Sequence, residues 1–150
     1  MVTDNPHSTA RIGGHPIHPM LVVFPIACFV GTLVTDIAYW RTASGQWETF
    51  SIWLLTAGLV TAGFAILAGV IDFFGSSRVR SLRAAWVHVI GNALAIVLAL
   101  INAFVHSRDG YTAVVPTGLI LSALVVAILL VTGWMGGEMV YRDRVGVAEQ

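Results

Sequence analysis

The run GGHPIHPMLVVFPI, residues 13–26, sets two histidines, three prolines and a methionine at the mouth of an apolar stretch. Each proline disfavours helix in the residue before it, so His15 and His18 are expected to be extended. Pro19 suits the first helical position, where no N–H is needed, and His18 then becomes the N-cap of a helix that runs on through Val22 and Phe24. Pro25 falls inside that helix and should kink it. The stretch therefore opens a long apolar helix, and whether the helix crosses a membrane decides the fold.

Composition answers that question. Of 150 residues 57% are hydrophobic and only 11% charged, with a mean hydropathy of +0.82. A soluble domain carries about 25% charged residues, so this chain belongs in a bilayer. A spanning helix needs about 20 mainly apolar residues, and residues 19–40, 50–74, 84–105 and 114–135 each qualify. The expectation is a single all-α domain over 1–150, an integral membrane four-helix bundle with a polar N-terminal segment 1–14 and a C-terminal tail 139–150. No small-residue cleavage site precedes the first apolar run, so the N-terminus reads as retained.

Arginine sets the expected orientation. Arg11, Arg78, Arg80, Arg83, Arg142 and Arg144 lie before the first span, between the second and third, or after the fourth; only Arg41 and Arg108 lie in the other two loops. Six against two puts both termini in the cytoplasm of a cell whose inner membrane holds the protein. Trp40, Trp47, Trp53, Tyr39 and Tyr111 then fall near the outer interface, and Trp86, Trp134 and Tyr141 near the inner one. With eight basic and eight acidic residues there is no electrostatic case for nucleic acid. Cys28 is alone and can form no internal disulfide.

Helices in lipid associate through small residues and buried polar groups. Thr61, Ala65, Gly69 and Asp72 share one narrow arc of the second span, and Gly133 and Gly137 form a GxxxG pair on the fourth; both faces are expected to look into the bundle. Orientation also gathers polar groups at one end. His15 and His18 precede the first span, Asp72 closes the second, His88 and Asn92 open the third, and Glu138 follows the fourth. Ionisable groups at membrane depth usually face an interior, a cavity or a partner.

The third span carries the most specific pattern. At about 100° per residue, His88, Asn92, Ala95, Ala99, Asn102 and His106 lie within roughly 40° of one line, with the two histidines about 27 Å apart along the axis. Alanines between polar ends admit either a neighbouring helix or a flat ligand, and paired imidazoles are common metal or haem-iron ligands. His106 reads equally as a wet interfacial histidine. Asp36 could meet His106, meet Arg41, or sit solvated at a helix end.

Several motifs together, GHPIHPMLVVFPI with Asp36, AGVIDF, HVIGN and GWMGGEMVYRDRVGV, resemble the bacterial membrane proteins grouped as domain of unknown function 2231, over Gly14 to Val147. The resemblance implies a small four-helix membrane protein with no assigned reaction. Many relatives carry a further histidine before FPI, where this chain has Val23. Some are joined to Rieske-type iron–sulfur domains, which implies electron transfer at a membrane and a redox protein as partner; the cysteine–histidine ligand pairs of such a domain are not in this sequence.

The leading expectation is a redox module holding haem b or a transition metal. His18 and His88 are the expected axial ligands, with His15, Asn92 and His106 as further cofactor-binding candidates. The corresponding metal set is His15, His18, Asp72, His88 and Glu138. Two other classes compete: a scaffold subunit whose polar cluster only pins helices, and a small proton or metal transporter using Asp36, Asp72, Asn92, Asn102 and His106. The apolar stretch 94–101 interrupts any relay along the third span. No catalytic residue is assigned, since no nucleophile elbow, H-E-x-x-H or phosphate loop occurs. An open zinc site on His15, His18 and Asp72 is the one enzymatic alternative.

Overall fold

The computed structural model describes residues 5–108 and 114–147; Tyr111 of the expected aromatic belt and the last three residues of the tail lie outside them. A two-residue antiparallel pair comes first, β1 (Arg11–Ile12) with β2 (His15–Pro16), in register Ile12 to His15. Gly13 and Gly14 make its turn at φ +56° and +84°, the left-handed conformation that such a tight hairpin demands.

The helices follow as α1 (Ile17–Leu21), α2 (Val23–Thr42), α3 (Gly45–Gly75), α4 (Ser77–Ser81), α5 (Arg83–His106) and α6 (Leu119–Tyr141). Among the described residues four stretches are long and apolar enough to cross a membrane: Ile17–Thr42, Gly45–Gly75, Arg83–His106 and Val114–Tyr141. Each expected span lies within one of these, and each helix runs further than hydropathy alone suggested. His15 is extended as expected, but His18 lies inside α1, whose N-cap is Pro16. The break falls at Val22, between α1 and α2. Its cause is Pro25, which has no N–H for the carbonyl of Leu21 four residues earlier.

Short connections make successive long helices antiparallel. Ala43, left-handed at φ 52°, closes α2, and the chain turns straight into α3. Helices α2 and α3 pack as one hairpin and α5 and α6 as another; the hairpins meet less extensively, α2 against α6 and α3 against α5. The result is a four-helix bundle with α2 and α5 on one diagonal. Residues 5–16, α4 and residues 142–147 lie at one end, the terminal end, and residues 43–44 and 107–108 lie at the far end.

The core between the hairpins is small-residue packing around a few large side chains: Phe29, Leu55, Ala62, Ala99 and Val125. Phe29 lies so close to Gly58 that a Cβ there would meet the ring at 2.8 Å. The outside is apolar too, with Phe104 71%, Leu130 72% and Trp134 76% exposed. In water such a surface would drive aggregation; against acyl chains it is the matching solvent.

The small-residue faces divide. Ala65 is buried, and Thr61, Gly69 and Asp72 are half-buried, so that arc of α3 looks inward as expected. Gly133 does not: it is exposed, with open space where a Cβ would stand. Helix α6 is apolar almost throughout, and the side that turns in is marked only by Ser122 and Thr132, both buried.

Candidate functional site

At the terminal end the structure brings His18 and His88 together. Their ring centroids are 6.0 Å apart with planes at 82°. Each ring is held by its own hairpin. His18 Nδ1 lies 2.8 Å from the carbonyl of Ala65 on α3, and His88 Nδ1 lies 2.8 Å from the carbonyl of Thr132 on α6. A carbonyl only accepts, so Nδ1–H donates in both cases, and the neutral ring keeps its lone pair on Nε2.

Glycines make this approach possible. Gly69, one turn after Ala65, would place a Cβ 2.9 Å from His18 Cε1; Gly136, one turn after Thr132, would place one 3.3 Å from His88 Cε1. The two hairpins thus repeat one device: a histidine before or near the start of the first long helix donates to a carbonyl of the second, over a glycine four residues on. Gly91 adds a third close approach, since a Cβ there would stand 2.4 Å from Thr132 Cγ2. Thr132 Oγ1 donates to Asn92 Oδ1 at 3.3 Å, and Asn92 Nδ2 donates to the His88 carbonyl at 2.7 Å. Asn92 therefore braces the helix under His88 while Nδ1 of the ring is held elsewhere.

The other terminal-end candidates do not join the pair. Asp72 Oδ1 accepts from Ser8 Oγ at 2.8 Å and from the N–H groups of Thr9 and Ala10 at 2.7 Å each, so it ties the N-terminal strap to α3. Glu138 pairs with Arg142 one turn on. His15 stays exposed on β2, and Met20 is 63% exposed. Among the described residues no three His, Cys, Asp or Glu side chains converge as a metal site. The strap is closed from the other terminus as well, by Gly146 N–H donating to the Pro6 carbonyl at 2.8 Å.

The far end holds a second polar group. His106 Nε2 lies 3.0 Å from Asp36 Oδ1, with neither side chain exposed. Ser122 donates to Asp36 Oδ2 at 2.6 Å, Asn102 Nδ2 donates to Ser122 Oγ at 2.8 Å, and His106 Nδ1 donates to the Asn102 carbonyl at 3.0 Å. His106 is thus no wet interfacial histidine, and of the three environments open to Asp36 the structure shows the one with His106. Eighteen residues separate His18 from Asp36 and His88 from His106, so the two groups sit at matching ends of matching helices.

Sequence reasoning found the histidines and Asp36 but missed the carbonyls of Ala65 and Thr132, Gly136 and Ser122. Gly136 stands next to the GxxxG glycine that was noticed; histidine spacing against glycine in the following helix was the available signal.

Residues 14–149 match the family described as "Predicted membrane protein (DUF2231)". No curated protein and no solved structure matches the chain.

Proposed function

The chain belongs to the DUF2231 family of membrane proteins, and from that premise we propose that it is a redox module binding one haem b between its two hairpins, with His18 and His88 as axial ligands. The observation that carries this reading is the pair of Nδ1–H bonds to the carbonyls of Ala65 and Thr132. A backbone acceptor on the far nitrogen is the usual support of a ligating histidine, because it fixes the tautomer and raises the basicity of Nε2.

Distance supports the same choice: with their centroids 6.0 Å apart, the two rings stand close enough that one metal ion would reach a nitrogen of each. Against the rings stand Ala65, Gly69 and Gly136, small residues of the kind a porphyrin between helices needs. When bound, the haem would supply one-electron chemistry. The protein's part would be to hold both Nε2 lone pairs ready. The arginine distribution supports a cytoplasmic location for the terminal end in a bacterial inner membrane, where a redox protein would be the partner.

One observation favours a second reading: edge-on rings 6.0 Å apart are also an ordinary aromatic contact, so the pair could simply brace the hairpins. Absorption spectra and metal analysis of gently solubilised protein separate the two. The expected result is a Soret band with about one haem per chain, lost in His18→Ala and His88→Ala alike. One equivalent of a metal without porphyrin would replace haem by that ion at the same ligands. Protein with neither, unchanged in spectrum by either substitution and only less stable, overturns the redox reading in favour of the brace.

A further inference from the structure

The far-end group contains two features that packing does not require. The first is a proton count. His106 Nδ1 must carry a proton, because its partner is the Asn102 carbonyl; Ser122 gives its proton to Asp36 Oδ2 and receives one from Asn102 Nδ2. All polar contacts of the pair are then assigned except the 3.0 Å contact between His106 Nε2 and Asp36 Oδ1. An unprotonated imidazole lone pair facing a carboxylate would be repulsive, so this contact needs one proton. With it the pair is neutral overall, either as imidazolium and carboxylate or as imidazole and carboxylic acid. Without it the pair leaves a bare negative charge buried in a low-dielectric setting.

The second feature is Asn102 Oδ1, fully buried and without a hydrogen-bond partner among the described residues. The amide cannot turn over to cure this, since Ser122 has already given its own proton away and needs the amide N–H. A buried acceptor in a polar cluster is the usual seat of an internal water. His106 is the last residue of α5, and Ser107 and Arg108 beyond it are exposed, so the cluster lies within one turn of the helix end. A Cβ on Gly118 would meet His106 Cε1 at 2.6 Å, which makes room for the ring at the start of the last helix.

We infer that the far end of the bundle is a second, proton-binding site, in which Asp36 and His106 share one proton between Oδ1 and Nε2, Asn102 Oδ1 holds an internal water, and the shared proton exchanges with the aqueous phase at that end. Binding adds one proton to the pair and brings its charge from minus one to zero; release returns that proton to water and breaks no other covalent bond. The groups facing the pair are Ser122 from α6, Asn102 from α5 and, in the first turn of α3, Glu48, whose charge also reaches His106. Tyr39, one turn beyond Asp36 on α2, is buried. This site shares no residue with the His18–His88 pair and stands whether or not that pair binds haem.

The test is nitrogen-15 magic-angle NMR of histidine-labelled full-length protein in liposomes, with pH steps and transfer to deuterated buffer. The expected result is a His106 ring signal that exchanges its Nε2 proton within hours and titrates as one event, and whose Nε2 response is lost in Asp36→Asn while Nδ1 stays protonated. Should Asp36→Asn fail to fold, Ser122→Ala keeps both titrating groups and is expected to move the midpoint by on the order of one pH unit, a tenfold change in proton affinity. A His106 signal that neither exchanges nor titrates in the wild type, or a midpoint unmoved in Ser122→Ala, overturns the inference and leaves a static structural pair.

Discussion

A backbone carbonyl gives His18 its orientation, and a missing methyl group gives it its place. The ring bonds to Ala65 across Gly69, so adding one carbon at 69 pushes it off its acceptor without removing any ligand atom. If His18 ligates haem as proposed, Gly69→Ala is expected to weaken that binding by about 10- to 100-fold, the usual cost of losing the support behind a metal ligand. Haem titration into the purified variant checks it, with Gly63→Ala as the control, since nothing among the described residues lies within 4 Å of a Cβ at 63. Conserving His18 but losing its orientation is a different lesion from losing His18. This also marks what the sequence could and could not show. Histidines, carboxylates and their depths are written in side chains; the carbonyls of Ala65 and Thr132 belong to residues chosen for other reasons. Asp36 was visible as a polar residue in an apolar helix, but its choice of His106 over Arg41 needed the diagonal of the bundle.

Hydropathy made the four long helices legible, because a bilayer demands unbroken apolar length and nothing else in the chain competes for it. Their inward faces were legible only where polarity varied: the Thr61–Asp72 arc of α3 was, and the side of α6 hung on Ser122 and Thr132 alone. Helix breaks followed from proline chemistry, though the break came at Val22 and not at Pro25 itself. Two predictions belong to this scale. Gly58 brings Phe29 of α2 against α3, and the ring is held in the core, so Gly58→Ala should cost about 1–3 kcal/mol by overpacking. Reversible unfolding in detergent micelles would show it. Asp72 gathers the strap through three close bonds, so Asp72→Ala should free residues 5–10 at the terminal end. Brief proteolysis is then expected to trim the variant faster than the wild type, while the Soret band stays in place, which also tests whether Asp72 is a strap anchor or a ligand.

Across the whole molecule, an even number of spans puts both termini on one side, knit together by Gly146 and Pro6. Reporter fusions at either terminus are expected to give the same cytoplasmic signal, and a fusion in the 107–113 connection the opposite one. An opposite result at the termini would invert the arginine argument and place the His18–His88 pair on the external side.

The repeated hairpin also bears on how the protein is made. Each hairpin orients its own histidine, His18 by α3 and His88 by α6, so each half-site is complete as soon as its two helices have left the ribosome and met in the bilayer. The Asp36–His106 contact joins the two hairpins and exists only after they dock. Biosynthesis therefore orients the two histidines early and postpones the pairing of Asp36. Until that last step Asp36 of the first hairpin has neither His106 nor Ser122 beside it, and an unpartnered carboxyl within the membrane is costly.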